Sequence, residues 1–413
     1  MPSDKIQKFC SDGIILNLSY GAFVRDVGQY VIWVIMSVYL NEVRSLSYVS
    51  IGVVFLIGGF LSVPLSILGG NLIDRIGRRK LAILIPWLMS ALSLGLFAMI
   101  YYDLNLLVLL ALFIISGPME SLQYVTMSTI IADVTSESER ISGYSALRIA
   151  SNLGIGIGLV VGGFLSQFNY AFIFLLSFGG YVSEGVLYYF RIPETSPSTA
   201  VSKGEHQPKR KIVLPFRDTF FIAISLITSF GWFFTGMFES ALTPLYMSSV
   251  NHFNPFSITI LFAINSAVVI AFQTPINKLL RNVRDSLRII LGLMLYSLAY
   301  LIFAETSFYL VIAMAAVLLT FGENIASPAS TSLITKIAPE KNRGSYLGFN
   351  SSIASLINPF RPLVGTFLLS ATVAEPSLSW IVLSMVSFLI ALLFLVLFRR
   401  ISQRRNSVSR SPL

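Results

Sequence analysis

Twelve long apolar stretches constrain the fold of this 413-residue chain more than any other feature of its sequence. A helix needs about 20 mostly apolar residues to cross the hydrocarbon core of a bilayer. Helices also satisfy their own backbone hydrogen bonds, which lipid cannot do. We therefore predict an all-α membrane protein with twelve transmembrane helices. The stretches lie near residues 14–40, 48–69, 81–102, 105–130, 143–166, 170–190, 218–247, 255–276, 287–304, 308–332, 345–370 and 377–398.

The composition excludes most soluble functions. Charged residues make up 12% of the chain and apolar residues 55%, whereas soluble domains contain about 25% and roughly 45–50%. This argues against a soluble enzyme and against a nucleic-acid binder. The single cysteine, Cys10, and the two histidines, His206 and His252, lie outside the apolar stretches, apart from one another in sequence. We expect no catalytic site, no metal site and no cofactor.

The positions of Lys and Arg predict how the helices are oriented. Of the 29 basic residues, 25 lie on segments that share a side with the N-terminus, and only Arg44 lies on the other side. Cytoplasmic loops carry such an excess of Lys and Arg. We therefore expect a multi-pass protein of the cell membrane with both termini in the cytoplasm.

The two halves of the chain are similar at a constant offset of 203 residues. Arg78 then corresponds to Arg281, Glu120 to Glu323, and Gly162 to Gly365. Parallel repeats of this kind are one architecture of secondary transporters. We predict two pseudo-symmetric six-helix bundles, 1–190 and 218–400, joined by a cytoplasmic linker, 191–217, and followed by a basic cytoplasmic tail, 401–413. We expect the protein to act as a monomer.

A short polar loop between the second and third stretches has the sequence GNLIDRIGRRK, from Gly70 to Lys80. Gly70 lets helices approach closely, Gly77 permits a tight turn, and Asp74 can face a helix N-terminus. The basic residues can bind carboxylates or anionic headgroups; they include Arg75, Arg78 and Arg79.

This loop, together with twelve spans in two equivalent halves, resembles the major facilitator superfamily. The loop pattern of that family is Gly, three residues, Asp-Arg, one residue, Gly, then basic residues, and Gly70 to Arg79 matches it fully. Asp133, Glu139-Arg140 and the Pro193-Glu194-Thr195 run are further similarities. The resemblance implies alternating access, with Asp74 locking the halves together near the start of span eleven.

The resemblance is nearest to members that exchange drugs or metabolites for protons, with three departures. Asn277 and Leu280 replace the Asp and Gly of the loop in its second copy. Phe113 stands where drug exporters often carry an Arg in span four. Span five keeps its glycines but lacks the family's Gly-Pro pair.

Eight charged side chains fall within the predicted spans, where each costs about 2.5–3.5 kcal/mol at a helix centre. Four carboxyl groups are candidates for proton coupling or solute binding: Asp26, Glu120, Glu239 and Glu323. Arg148 is a candidate partner for Glu120, and Arg361 for Glu323 or for a solute anion. Four aromatic residues are candidates for contact with an apolar or cationic solute: Tyr30, Trp33, Tyr124 and Trp232.

Two further expectations concern the remaining charges. Arg25 and Asp26 are adjacent in one helix, so we expect them to point to different sides and not to neutralise each other. Glu184 lies seven residues before Arg191, so we expect it to reach towards the cytoplasmic interface.

The sequence leaves several functions open. We favour a secondary transporter that moves a small organic solute by alternating access with protons, and within this class an exporter of drugs or metabolites. An importer or facilitator of a sugar or organic anion is the alternative. The carboxyl groups can also be structural ion pairs. From other classes, a transporter-like sensor or a membrane-embedded lipid enzyme remains.

Overall fold

The computed structural model of the chain describes residues 2–136, 139–195, 215–216, 218–339 and 342–408. Helices are the only regular secondary structure within these ranges. They are α1 (Pro2–Glu42), α2 (Tyr48–Ile76), α3 (Arg78–Tyr101), α4 (Leu106–Val134), α5 (Arg140–Ser166), α6 (Phe172–Arg191), α7 (Thr219–Thr235), α8 (Leu242–Ser249), α9 (Pro255–Leu279), α10 (Asp285–Glu305), α11 (Tyr309–Ile337), α12 (Arg343–Ile357), α13 (Arg361–Ala371) and α14 (Ser377–Val408).

In the part of the chain that the structure describes, twelve helical segments are long and apolar enough to cross a membrane, which confirms the predicted number. The first is Gly13–Glu42, predicted at 14–40, and the last is Ser377–Leu397, predicted at 377–398. The seventh, Thr219–Ser249, contains α7 and α8, and the eleventh, Ser345–Ala371, contains α12 and α13. Hydropathy therefore locates the spans to within a few residues.

Spans seven and eleven are interrupted, which the apolar pattern did not predict. A 3-10 turn, Gly236–Glu239, separates α7 from α8, and another, Asn358–Phe360, separates α12 from α13. Pro359 and Pro362 account for the second interruption, since proline lacks a donor and is tolerated mainly in the first turn of a helix. The first turn ends at an ionisable residue, Glu239, and the second is followed directly by one, Arg361.

The described chain divides into two compact units, one formed by 1–205 with 247–266, the other by 206–246 with 267–413. In the first unit α1 packs against α5 and α6, α3 against α4 and α6, and α2 against α4. Apolar clusters among its described residues include one around Leu18, Met127 and Tyr188 and another around Ile85 and Tyr181.

In the second unit α10 is central, since it packs against both α11 and α14. Phe221, Leu293, Leu333 and Phe394 belong to the apolar cluster that holds these helices to α7. The bundle boundaries expected at residues 190 and 218 stay a prediction.

Candidate functional site

Glycines bring α1 and α6 into close contact at the level of Arg25 and Asp26. A Cβ atom at Gly28 would lie 2.3 Å from the Cα of Ser177, and one at Gly180 would lie 2.5 Å from the carbonyl oxygen of Val24. Small residues allow helix backbones to approach in this way within membranes. The close approach places the charged pair of α1 directly beside the polar face of α6.

Arg25 and Asp26 form a buried, two-point ion pair. The Nε atom of Arg25 donates to Oδ1 of Asp26 at 2.7 Å, and Nη2 donates to Oδ2 at 3.1 Å. The two residues are only 8% and 7% exposed. The expectation that they point to different sides was wrong, because the long arginine side chain folds back onto its neighbour.

Glu184 of α6 faces the same guanidinium. Its Oε1 lies 3.5 Å from Nη1 of Arg25 and accepts a hydrogen bond of 3.2 Å from Nε2 of Gln123. The residue is 0% exposed, so the expectation that it reaches the interface was wrong. Its position on one face with Tyr181 and Tyr188, all three buried in α6, is the signal that could have indicated this.

Glu120 of α4 is partly buried and contacts α1 beyond this ion pair. Its Oε2 accepts hydrogen bonds of 3.3 Å from Nε2 of Gln29 and from Nε1 of Trp33, both on α1. The ring of Trp33 packs against Phe55 and Phe113. Arg148, the expected partner of Glu120, is instead exposed on α5.

Hydrogen bonds continue from this carboxyl group through the unit. The Oε1 of Gln29 accepts from the hydroxyl of Ser177 at 3.3 Å, and Ser177 lies 3.1 Å from the hydroxyl of Ser93. These contacts connect α4, α1, α6 and α3 in one polar layer. Tyr30, on α1, is partly buried, whereas Tyr124 is 65% exposed on α4.

In the second unit two of the candidate residues, Glu239 and Arg361, lie at the interruptions of spans seven and eleven. Arg361 donates from Nη2 to the carbonyl oxygen of Trp232 at 3.1 Å and to Oδ1 of Asn358 at 3.2 Å. Glu239 is exposed in its 3-10 turn, and Glu323 is partly buried in the middle of α11.

Trp232 also borders a small, mostly apolar cavity of about 10 Å³. Residues of α7, α10 and α11 line it, and four of them carry hydroxyl groups: Thr228, Thr235, Tyr296 and Ser330.

The loop between α2 and α3 turns at Gly77, where φ is 103°. Only glycine adopts such a backbone without strain. The predicted tight turn is therefore present at this residue. Glu194 lies against the start of α3, where its Oε1 and Oε2 accept from the backbone N–H groups of Arg78 at 3.1 Å and Arg79 at 3.3 Å. The carboxylate that faces a helix N-terminus is thus Glu194, rather than Asp74 as expected.

Arg78 joins the loop to the end of α4. Its guanidinium contacts Asp74 and Asp133, each at 3.0 Å, and Asp133 also accepts from the hydroxyl of Thr195 at 3.3 Å. Arg79 donates to the carbonyl oxygens of Tyr189 and Ile192, each at 2.8 Å. The loop and the Pro193-Glu194-Thr195 run therefore form one network.

Two other loop residues lie outside that network. Arg75 is exposed. A Cβ atom at Gly70 would meet nothing within 4 Å, whereas one at Gly69 would lie 3.2 Å from Leu122. The close helix approach predicted for Gly70 was wrong, since the neighbouring glycine makes it.

The degenerate second copy of the loop has its own polar contacts. Asn277 accepts from the guanidinium of Arg288, a residue buried in the first turn of α10. Lys336 donates to Oδ2 of Asp285 at 2.5 Å. At the offset of 203, Lys336 corresponds to Asp133 of the first half. An ion pair is thus present at the end of span ten, as at the end of span four. The residue that span ten contributes is basic, whereas the one that span four contributes is acidic.

The sequence profile of the Major Facilitator Superfamily matches residues 18–304 and 235–412, so two overlapping matches cover nearly the whole chain. The chain belongs to the Major Facilitator Superfamily. This is a family of multi-pass membrane transporters of small solutes, and not of enzymes.

Relatives within the Major Facilitator Superfamily are distant but of similar length. Multidrug resistance protein 1 of Bacillus subtilis is 26% identical, over 86% of this chain and 89% of that protein. Multidrug resistance protein MdtH of Klebsiella pneumoniae is 22% identical, over 92% of each chain. Among solved structures, the peptide transporter POT in complex with sulfate has a TM-score of 0.72 at 15% identity, covering 94% of this chain and 95% of that chain. This last likeness shows the fold alone.

Proposed function

We propose that this protein exports amphipathic, drug-like organic solutes in exchange for protons. The observation that carries the proposal is the excess of buried carboxyl groups in the first unit. One guanidinium, that of Arg25, faces the carboxyl groups of Asp26 and Glu184, and a third carboxyl group, Glu120, accepts from Gln29, one turn of α1 beyond Asp26.

Charge balance connects this arrangement to protons. Ionised groups are expensive in a membrane interior unless they are paired. A single arginine neutralises a single carboxylate, so the other carboxyl groups are relieved of their charge when they bind protons. Water that enters in one state of the transport cycle stabilises the ionised form and releases those protons.

The direction of transport and the class of solute are supported by the relatives, whose names are those of multidrug resistance proteins. The aromatic ring of Trp33, which donates to Glu120, provides an apolar surface next to a carboxyl group. Such a pair suits a lipophilic cation.

The orientation and the switch belong to the same proposal. With both termini in the cytoplasm, the loop from Gly70 to Arg79 lies on the cytoplasmic side. Asp74, held by Arg78 at 3.0 Å, is then the residue that releases the halves as the transporter opens inward. The protein acts as a monomer.

Arg361 favours one competing function, the transport of an organic anion. Its Nε atom is buried without a hydrogen-bond partner in the part of the chain that the structure describes. An unsatisfied guanidinium N–H is a good donor for a carboxylate or phosphate.

Flux through proteoliposomes distinguishes these functions. A pH gradient is imposed across the membrane, and transport of ethidium, a fluorescent lipophilic cation, is followed by its fluorescence. Liposomes without protein serve as the control. We expect accumulation that stops when nigericin collapses the gradient. Ethidium flux that does not depend on the pH gradient would contradict proton exchange. Gradient-driven flux of a labelled organic anion, without gradient-driven flux of ethidium, would favour the competing function.

A further inference from the structure

One oxygen atom of Glu184 is buried beyond hydrogen-bond distance of any donor among the described residues. Oε1 faces Arg25 at 3.5 Å and accepts from Gln123 at 3.2 Å. The nearby hydroxyl of Tyr188 donates instead to the carbonyl oxygen of Leu18 at 3.2 Å, which leaves Oε2 without a partner in the described part of the chain. The whole residue is 0% exposed. A buried carboxylate oxygen without a donor is costly, whereas a carboxylic acid carries its own proton there.

The guanidinium that Glu184 faces is already engaged. Arg25 contacts Asp26 at two points, 2.7 and 3.1 Å, both shorter than its contact with Glu184. If all three groups were ionised, the cluster would carry one net negative charge in a site closed to water. With one proton on either carboxyl group, the cluster is neutral.

Among the described residues, no second cation contacts Glu184; Arg191, at the far end of its own helix, is exposed. Its own helix contributes two phenols, α1 the ion pair, and α4 one more carboxyl group; these are Tyr181, Tyr188, Arg25, Asp26 and Glu120. Two other helices, α3 and α5, also neighbour α6, the helix of Glu184. The charged residues of α3 lie in its first turn and are Arg78, Arg79 and Lys80. Those of α5 lie in its first half and are Arg140 and Arg148. Of those on α5, Arg148 is exposed.

We propose that Glu184 is a second proton-binding carboxyl group, and that it and Asp26 hold one proton between them in competition for Arg25. In the arrangement seen here Arg25 pairs with the Asp26 carboxylate, and the proton is on Glu184. When Arg25 turns to Glu184, the O–H bond of Glu184 breaks and one forms on Asp26, so that the proton count and the net charge stay the same. The inference rests on the proposed proton coupling.

Infrared difference spectroscopy of the purified full-length protein tests this directly. At neutral pH most carboxyl groups are ionised, so the carbonyl stretching band of a carboxylic acid reports only groups that keep their proton. We expect wild type to show a component of this band that Glu184→Gln lacks; other protonated groups, such as Glu120, contribute to both spectra and cancel in their difference. Asp26→Asn should lack it as well, because Arg25 then pairs with an ionised Glu184. The double variant should lose no more than either single variant.

Two outcomes would overturn the proposal. If Asp26→Asn keeps the band that Glu184→Gln loses, the groups hold their protons independently. If neither variant changes the band, Glu184 is a fixed carboxylate. Glu184→Asp serves as the second variant, since it retains a carboxyl group and should retain the band. If Glu184→Gln fails to fold, the comparison of Glu184→Asp with Asp26→Asn still tests whether the two carboxyl groups share one proton.

Gradient-driven ethidium flux on the same preparation separates this inference from the proposed function. The expected band pattern without gradient-driven flux would contradict the proposed function alone. Gradient-driven flux without the band pattern would contradict only the shared proton.

Discussion

Two adjacent glycines of α6 allow the contact between α1 and α6 to be tested with a matched pair of substitutions. Gly180 faces α1, and a Cβ atom there would lie 2.5 Å from the carbonyl oxygen of Val24. Gly179 faces away, and a Cβ atom there would meet nothing within 4 Å. We expect Gly180→Ala to destabilise the protein relative to Gly179→Ala.

The magnitude follows from the geometry. Ordinary contacts begin near 3.4 Å, so the two backbones must separate by about 1 Å, and overpacking of this kind costs about 1–3 kcal/mol. Both variants gain about 1 kcal/mol from the higher helix propensity of alanine. That gain cancels in the comparison, which leaves a difference of about 1–3 kcal/mol between them.

Unfolding of both variants in mixed micelles by a denaturing detergent measures this difference. Gly180→Ala should also reduce gradient-driven transport, because separating the helices moves Glu184 away from Arg25. Equal stabilities of the two variants would refute the argument that glycine is needed for the approach of α1 to α6.

Three further predictions concern the loops. Gly77→Ala should lower the free energy of unfolding by about 1–3 kcal/mol, because it forces a strained backbone and places a Cβ atom 2.9 Å from an oxygen of Glu194. The control variant Gly70→Ala, with open space around it, should not be destabilised. Denaturation of both variants measures the difference. Glu194→Gln should cost about 0.3–1 kcal/mol, since it removes a negative charge from the start of α3, and high salt should diminish the measured loss. Burial, and then the neighbouring Glu42, raise the pKa of Tyr170. Above about pH 10 the unfolded phenol loses its proton while the folded one keeps it, so stability should fall there; a pH series of melting curves in which Tyr170→Phe falls equally would disprove this.

The sequence predicts the spans well because each depends on local composition. About 20 apolar residues suffice for a membrane helix whatever its neighbours are, and the ends at Gly13, Glu42 and Ser377 lie within a few residues of the prediction. The tight turn at Gly77 is likewise a local property of the chain. The interruption at Gly236 was missed because apolar character continues through it.

The carboxyl cluster is less predictable, since it depends on which helices are adjacent. Glu184 is 159 residues from Arg25, and nothing in the local sequence of either identifies the other as a partner. The prediction of which glycine contacts a neighbouring helix was wrong by one position for a similar reason. Adjacent residues point about 100° apart around a helix, and only the packing of the helices shows that Gly69 rather than Gly70 faces α4. Side-chain reach explains why Arg25 can pair with the residue next to it.

The central claim, that transport is coupled to protons, is tested most directly at Glu120, one of the candidate proton-coupling carboxyl groups, by comparing two modes of transport in one variant. Glu120→Gln keeps the size of the side chain and an oxygen atom that can accept from Gln29 and Trp33. Its amide group cannot take up and release a proton. We predict that this variant loses gradient-driven ethidium transport in proteoliposomes and retains exchange of labelled for unlabelled ethidium. Equal loss of both modes would contradict proton coupling at Glu120 and indicate a structural or solute-binding role.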